Sequence, residues 1–380
     1  MTRLGWVRFV VEMPEASSGL IDHYPAFLGR LPAGLDLEAL GRETKALRRR
    51  RGVQSATDLL RLALAWGPGG FSLQQVAAWA GEQGIAEITD EGLVQRLHGA
   101  VGFLQAVTSH LLTSMPPAPC WHGWVLRICD STSLSQPASK GTDWRLHGVY
   151  DLARGGFSHL DLTDSHGGEA LDRGKPVAGE VRIADRGYAN AQAWHRFCQA
   201  SEGQADYIVR MRWNTVRLVD AAGKVLDLIA LLQALPPESD THEIAVRVQS
   251  GKRQRPVLIR LVVRRKTPEA TAAAHKALRQ QASRKQTKLD DRSLIAAGFL
   301  VLATSLPGTA FPADEVLAVY RLRWQIELAF KRLKSLLHID RIRTKTAAGT
   351  RCWLYAHLIV ALLCDDLSQD VLESFPSGAC

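Results

Sequence analysis

The chain has 380 residues, a hydrophobic content of 46% and a net charge of +9, which predict a folded intracellular protein with a sizeable core and more than one domain. The apolar run 356–364 is too short to cross a bilayer, and Arg8 and Glu12 interrupt the N-terminal apolar stretch, so neither a membrane span nor a signal peptide is predicted. Six scattered cysteines lack the paired spacing of zinc sites and disulfide frameworks.

The first 115 residues show helical periodicity. Ser72 and Gln75 have the spacing of a capping box before an apolar stretch that ends near Ala80, and a second short helix is predicted to begin near Asp90. A helix-turn-helix DNA-binding unit has this order of elements, but two packed helices occur in any fold, so both interpretations stay open. The proline-rich residues 115–119 are predicted to be a linker.

Residues 120–213 change to the pattern of a mixed α/β fold. Predicted strands cover residues 123–130, 144–151, 157–164, 181–185 and 206–213. The second and third of these strands form a hairpin, and a helix is predicted to follow the fourth and to reach about Ala200. Asp130 and Asp185 each end a predicted strand, where ligands gather in α/β sheets, although an acid there also suits a plain loop.

Residues 214–310 are predicted to be a β-rich insertion that contains a basic helical stretch at 269–289. Between Arg247 and Arg292 there are 14 Lys and Arg against three acids, so this segment carries the positive excess of the whole chain. Such a concentration is typical of a surface that neutralises nucleic acid phosphates. A solvated basic loop gives the same pattern, so this interpretation also stays open.

A helix predicted to begin at Asp314 and to run past Leu337 carries an unusual polar strip. Tyr320, Arg323, Glu327 and Lys334 fall within about 60° of one another at 100° per residue. The strip borders the apolar stripe of the helix instead of lying opposite it, as the charges of a solvated face would. The sequence therefore predicts that a carboxylate, two cations and a phenol line a cleft at the edge of the core.

Three carboxylates in this arrangement suit phosphoryl transfer. Two hard divalent cations can activate water or a 3′-hydroxyl and stabilise the leaving oxygen, and such cations take oxygen ligands. Because unpaired carboxylates repel one another, metal binding explains why Asp130, Asp185 and Glu327 would converge. Arg, Lys and Tyr beside them can hold phosphates that do not react.

The motifs resemble those of the insertion sequence 4 family of DDE transposases, which have a ribonuclease H-like catalytic core. The spacing Y-x2-R-x3-E-x6-K, at Tyr320, Arg323, Glu327 and Lys334, resembles the YREK signature of that family. ICDST around Asp130 and IADRGYAN around Asp185 resemble its first and second acidic motifs. The resemblance covers about residues 55 to 365, with 141 residues between the second acid and Glu327 to hold the family's β-rich insertion.

The resemblance implies a role for each matching residue. Asp130, Asp185 and Glu327 would hold two Mg²⁺ ions, with Mn²⁺ as a substitute, while Tyr320, Arg323 and Lys334 would contact DNA phosphates. Some members of the family flip a base onto an aromatic residue of the insertion. The matching position here is Phe299, which equally suits an ordinary strand residue; Trp213 and Trp324 are further candidates with the same alternative.

The remaining acids and histidines carry no such pattern. Five acids near the predicted hairpin are expected to be edge and loop residues: Asp143, Asp151, Asp161, Asp164 and Glu169. His147 is expected to be packed or to face a phosphate. No histidine pair has metal-ligand spacing, and the serines after Asp130 lack the surroundings of a nucleophile.

The predicted organisation follows from these motifs. It has a helical N-terminal DNA-binding region at 1–115, a ribonuclease H-like core at 120–213 and 311–345, the insertion at 214–310 and a C-terminal helical region at 346–380. The expected function is cleavage and strand transfer at the terminal inverted repeats of an insertion sequence. The expected partners are double-stranded DNA, both transposon ends and target, and a second copy of the chain in a synaptic dimer. The expected location is the bacterial cytoplasm, in association with the nucleoid.

Two other functions fit the same residues. One is a catalytically inactive DNA-binding protein derived from a transposase. The other is a metal-dependent nuclease of the same fold that acts on RNA or branched DNA. Intact acids argue against the first, and the polar strip argues against the second, because its additional phosphate contacts suit a fixed transposon end.

Overall fold

The computed structural model describes residues 24–48, 50–113, 120–251 and 254–374, with side chains up to Cys364. The predicted linker at 115–119 and the two ends of the chain, 1–23 and 375–380, lie outside these residues. The chain divides into two compact units. Of the described residues, one unit contains those up to 113, a short loop at 135–140 and those from 333 onward. The other contains the described residues of 120–134 and 141–332.

Helices and strands account for most of the described residues. The α-helices are α1 Tyr24–Leu28, α2 Leu37–Glu43, α3 Ala56–Trp66, α4 Leu73–Glu82, α5 Asp90–Gly99, α6 Val101–Thr113, α7 Ala191–Ala200, α8 Leu228–Gln233, α9 Pro268–Lys285, α10 Asp291–Ala297, α11 Ala313–Tyr320, α12 Trp324–Leu337 and α13 Ala347–Ser374. The strands are β1 Val125–Leu134, β2 Trp144–Asp151, β3 Gly156–Asp164, β4 Glu180–Ala184, β5 Asp206–Arg210, β6 Leu218–Val219, β7 Val225–Leu226, β8 Thr241–Val248, β9 Val257–Arg265 and β10 Phe299–Thr304.

The predicted capping box opens α4. The Ser72 hydroxyl accepts from the Gln75 backbone N–H at 3.2 Å, and the Gln75 side-chain oxygen accepts from the Ser72 N–H at 2.8 Å. Two of the four N–H groups without a helical partner are thereby satisfied. Helix α5 begins at Asp90, as predicted, and contacts α4. The helical prediction for this region is confirmed, and DNA binding by α4 and α5 stays a prediction.

Helix α13 is the central helix of the helical unit. The 18 residues Ala347–Cys364 are long and apolar enough, by length and composition alone, to pass for a membrane span, which the shorter run 356–364 did not indicate. However, 72% of this window is buried inside the protein, and the helix packs against α3, α5 and α6. Its apolar character therefore belongs to a protein core.

A single ten-stranded sheet forms the second unit, in the order β3-β2-β1-β4-β5-β10-β9-β8-β6-β7. Strand β4 pairs in parallel with both β1 and β5, and the other pairs are antiparallel. Strands β2 and β3 form the predicted hairpin. The segment 214–310 extends the same sheet, because β10 pairs with β5 from Thr304↔Ile208 to Leu302↔Arg210. The predicted β-rich character of this segment is confirmed.

Helix α7 covers one face of the sheet. Asn190 caps the helix by accepting from the N–H groups of Gln192 and Ala193 at 3.0 and 3.2 Å. Trp194 and Phe197 then point into a cluster of buried side chains from the sheet. Because α7 begins six residues after Asp185, its packing holds the segment that follows β4 against the sheet.

Four buried charged residues belong to the strands β1, β2 and β4 of this part of the sheet. Arg127 of β1 contacts Asp151 at 3.4 Å and Glu180 at 3.2 Å, and Arg182 of β4 contacts Glu180 at 2.5 Å. All four are at most 6% exposed. Each charge has an opposite partner, as burial in a low dielectric requires.

Candidate active site

Asp130 and Asp185 follow the last parallel pair between β1 and β4. The ladder ends at Cys129↔Ala184, so the two acids come next on neighbouring strands. Strand β4 stops there, as predicted, but β1 continues to Leu134 because the antiparallel partner β2 keeps pairing with it. Asp130 therefore lies within a strand and not at its end, which corrects the prediction. The end of β4 is what leaves Asp130 without a parallel partner.

The helix that carries Glu327 brings a third carboxylate near Asp130 and Asp185. The predicted single helix is two helices, since the chain forms a 3₁₀ turn at Arg321–Arg323 between α11 and α12. Such tighter turns are common at helix ends. Arg323 contacts Glu327 at 2.6 Å and lies 4.0 Å from the nearest oxygen of Asp130. The Tyr320 hydroxyl donates to Asp185 at 3.3 Å. Arg323 and Tyr320 thus connect the three segments that carry Asp130, Asp185 and Glu327.

Burial dominates the electrostatics of the site. It raises the pKa of Asp130 to about 6. The charges of Glu169 and Asp185 also raise this pKa, whereas the hydrogen bond from the Ser131 N–H and the charge of Arg323 lower it. Burial and then Asp185 raise the pKa of Tyr320 to about 12. At neutral pH, therefore, Asp130 is mainly ionised and Tyr320 is a protonated hydrogen-bond donor.

Arginines supply positive charge to all three carboxylates. Arg323 stands between Asp130 and Glu327, and Arg210, at the end of β5, lies 3.7 Å from Asp185. Among the described residues, no group of three His, Cys, Asp or Glu side chains is close enough to hold one metal ion. The donor chemistry nevertheless suits hard divalent cations, which take carboxylate oxygens.

Gly148 allows α12 to pack against the sheet beside Asp130. It is the register partner of Asp130 on β2. A Cβ at this position would lie 2.6 Å from the ring of Phe157 and 3.0 Å from that of Phe330, which follows Glu327 by three residues on α12. The absence of a side chain at residue 148 therefore helps to set the height of Glu327 above the sheet.

We expect Gly148→Ala to lower the free energy of unfolding by about 1 to 3 kcal/mol, the usual cost of overpacking a core. Urea denaturation measures this change. Gly156→Ala, at the start of β3, is the matched control, since a Cβ there meets nothing within 4 Å. Equal stability of the two variants would show that Phe157 and Phe330 move aside freely and that Gly148 sets no spacing.

The other candidate residues lie in different surroundings. Trp324, the first residue of α12, is 43% exposed. Lys334 is half-buried on the last turn of α12, in the helical unit. Phe299, the first residue of β10, has the Arg265 guanidinium 5.0 Å from its ring centre, and Trp213 has Arg292 at 4.6 Å. An arginine thus lies over each of these two rings, and the stacking of a flipped base on either ring stays a prediction.

Sequence analysis missed two charged neighbours of the carboxylates. Arg210 ends the adjacent strand β5, which is three residues shorter than the predicted strand 206–213, so the sequence did not place it at a strand end. Glu169, interpreted as a loop residue, accepts from the Ser131 hydroxyl at 2.8 Å. His147 is buried, with its Nε2 3.0 Å from the Thr163 hydroxyl. It is therefore a packed residue, one of the two expected positions for it.

Comparison with known proteins points to one kind of protein. Residues 124–363 match the family described as Transposase DDE domain. The chain is 38% identical over 363 residues to InsL, the transposase assigned to insertion sequence element IS186A of Escherichia coli (strain K12), with 94% of this chain and 97% of that protein covered. It is also 38% identical over 364 residues to the Escherichia coli transposase for insertion sequence element IS421, with the same shares covered. A solved piggyBac transposase synaptic complex with hairpin DNA gives a TM-score of 0.46 at 7% identity, covering 93% of this chain and 74% of that one, a likeness too weak to show a shared fold.

Proposed function

The chain belongs to the family of transposases with a DDE domain, and we propose that Asp130, Asp185 and Glu327 are its three catalytic carboxylates. It is a transposase of an insertion sequence element, an enzyme that cleaves DNA and transfers strands. The observation that carries the residue assignment is that acids from three separate segments meet around Arg323 and Tyr320. The family match favours this function over an inactive DNA-binding derivative.

The finer classification rests on the same contacts. We assign the chain to the insertion sequence 4 family, with Tyr320, Arg323, Glu327 and Lys334 as its YREK residues. Two contacts support this assignment: the Tyr320 hydroxyl donates to Asp185, and Arg323 forms an ion pair with Glu327. Residues of the spaced motif thus contact the proposed catalytic acids.

The proposed organisation keeps four parts. The ribonuclease H-like core comprises 120–213 and 311–345, and the mixed order of β1 to β5 and the acids on adjacent strands support it. The insertion at 214–310, the helical region at 1–115 and the C-terminal region at 346–380 complete the chain.

Two Mg²⁺ ions, with Mn²⁺ as a substitute, are the proposed cofactors, and Asp130, Asp185 and Glu327 would hold them. When bound, such ions activate the attacking oxygen and stabilise the leaving one. The chain's own groups supply the rest. Asp130 is ionised at neutral pH, as a ligand must be, and the Tyr320 hydroxyl orients Asp185. Arg323 and Arg210 offer donors to phosphates that do not react.

Helix α9 is the proposed DNA-binding surface of the insertion. None of its residues is buried, and Lys276, Arg279 and Lys285 are exposed. A helix without a buried face gains little from the core, so its exposure suits contact with a partner. Its charge suits the phosphates of double-stranded DNA. We further propose that two copies act together on two transposon ends in the bacterial cytoplasm, associated with the nucleoid.

The test is cleavage of a labelled duplex copied from the terminal inverted repeat of the element that encodes this chain. We expect cutting in Mg²⁺ that leaves a 3′-hydroxyl, and none after chelation by EDTA. RNA and branched DNA of equal length should stay intact, since they lack the repeat. Preferential cutting of either would favour the nuclease alternative, and tight end binding without any cutting would favour an inactive derivative.

A triple substitution tests the basic helix. Replacing Lys276, Arg279 and Lys285 with glutamine should make the plot of log affinity against log salt less steep by about 2 to 3. The reason is that each phosphate contact contributes about 0.9 to the magnitude of this slope. Fluorescence anisotropy on the end duplex at several salt concentrations measures the slope. The matched control replaces the exposed residues Lys175, Arg217 and Lys224. An equal slope in the two triple variants would remove α9 from the DNA-binding surface.

A further inference from the structure

Glu169 reaches from the loop between β3 and β4 to the strand that carries Asp130. Its Oε1 accepts from the hydroxyl of Ser131, the residue after Asp130, at 2.8 Å. The same oxygen lies 3.5 Å from a guanidinium nitrogen of Arg145 on β2. Because the side chain is 27% exposed, both contacts lie in a partly desolvated setting, where hydrogen bonds to a charged group are strong.

The other oxygen of Glu169 lies against the turn that carries Asp185. Gly187 is the second residue after Asp185, within the 3₁₀ turn Arg186–Tyr188. A Cβ built on Gly187 would overlap Oε2 of Glu169. The carboxylate therefore contacts the residues that follow both aspartates, and it reaches Gly187 only because that residue has no side chain.

The loop that presents Glu169 is held in place by two arginines. Arg173 donates to the carbonyl of Gly168, the residue before Glu169, at 3.1 and 2.8 Å. The fully buried Arg182 donates to the carbonyls of Leu171 and Arg173, both at 2.8 Å. Arg182 lies on β4, three residues before Asp185, so the loop and the second acid share one anchor. Glu169 is thus positioned by the core of the unit.

We propose that Glu169 is a positioning residue of the active site, which fixes the segments after Asp130 and Asp185 relative to each other. This inference rests on the proposed function, in which those two aspartates hold the divalent cations. A neutral residue of the same shape would keep part of the Ser131 contact but lose the charge that faces Arg145. Groups that orient metal ligands typically change affinity or activity by about 10- to 100-fold when they are replaced.

The direct test is Glu169→Gln in the full-length protein, beside wild type and Asp130→Asn. Three quantities are measured: the cleavage rate on the end duplex, the affinity for Mn²⁺ from the EPR signal of the free ion, and the melting temperature. We expect Glu169→Gln to lower both the cleavage rate and the Mn²⁺ affinity by about 10- to 100-fold. The melting temperature and the affinity for end DNA should match wild type.

Gly187→Ala tests the same contact without changing Glu169. The new methyl group must displace the carboxylate, so we expect losses of cleavage and Mn²⁺ affinity similar to those of Glu169→Gln. The double variant should be little worse than Gly187→Ala, because a side chain already displaced by the methyl group loses little more when its charge is removed, and such pairs are not additive. Gly168→Ala is the matched control, since a Cβ there meets nothing within 4 Å.

The outcomes separate this inference from the proposed function. Normal cleavage by Asp130→Asn would overturn the assignment of the three carboxylates, on which this inference rests. An inactive Asp130→Asn protein together with wild-type Mn²⁺ affinity in Glu169→Gln and Gly187→Ala would overturn only the role of Glu169. A lower melting temperature in Glu169→Gln, with unchanged cleavage and Mn²⁺ affinity, would make Glu169 a structural residue. Fully additive losses of cleavage rate and Mn²⁺ affinity in the double variant would contradict the proposed contact between Glu169 and Gly187.

Discussion

Replacing Glu327 with glutamine is expected to lower Mg²⁺-dependent cleavage of end DNA by on the order of a thousandfold or more. The amide keeps the shape of the side chain but removes the charge that a divalent cation needs. A cation contributes several kcal/mol to the transition state, and each 1.36 kcal/mol is a factor of ten in rate. Single-turnover cleavage of the labelled duplex measures the rate. Binding of the duplex should persist, because phosphate contacts elsewhere supply most of the affinity.

Glu315→Gln is the matched control for this substitution. Glu315 lies on α11, is also partly exposed, and also has a side-chain partner, since its carboxylate lies 3.1 Å from Nε2 of His122. Its replacement should leave the cleavage rate within about twofold of wild type, because Glu315 is not one of the three proposed metal ligands. Comparable rates in the two variants would mean that Glu327 holds no cation and that the assignment of the three carboxylates is wrong.

Replacing Arg182 with methionine is expected to lower the free energy of unfolding by about 3 to 5 kcal/mol. Removal of one member of a buried ion-pair network leaves one charge without compensation, and that cost is of this size. Here the two buried carboxylates Glu180 and Asp151 would share Arg127, at 3.2 and 3.4 Å, and the carbonyls of Leu171 and Arg173 would lose a donor. Urea denaturation followed by tryptophan fluorescence gives the difference.

Arg196→Met is the comparison that isolates burial. Arg196 lies on α7 and contacts Asp172 at 2.6 Å, as closely as Arg182 contacts Glu180, but its side chain is 53% exposed. The expected cost is below about 1 kcal/mol, because water screens an exposed pair. If Arg182→Met cost no more than Arg196→Met, the buried charges would not stabilise the sheet or the loop that holds Glu169.

Several features of the site were predictable from short stretches of sequence. Alternating apolar residues ahead of Asp130 and Asp185 predict strands, and both strands formed, because side-chain periodicity is a local property. The hairpin of β2 and β3 and the capping box of Ser72 and Gln75 depend on residues close together in the chain. The strip of Tyr320, Arg323 and Glu327 follows from helical repeat alone, and these residues contact the acids despite the intervening 3₁₀ turn.

Other features depend on pairing between distant segments. The length of β1 beyond Asp130 was set by β2, which continues to pair after β4 has stopped. Arg210 reaches Asp185 because β5 lies beside β4. No residue adjacent to Asp130 in the sequence indicates where the parallel ladder will end, so local pattern could not predict these two points.

The sequence by itself determined the order of the elements, the basic segment and the three acids with their spacing along the chain, since each is local or a matter of count. Only the tertiary structure decided which acids have arginine partners. It alone also brought Glu169 into contact with Gly187. Glu169 lies in a loop whose position comes from two arginines and from the packing of β4. Contacts of this kind join residues far apart in sequence, and they arise from burial and steric fit, which no local pattern records.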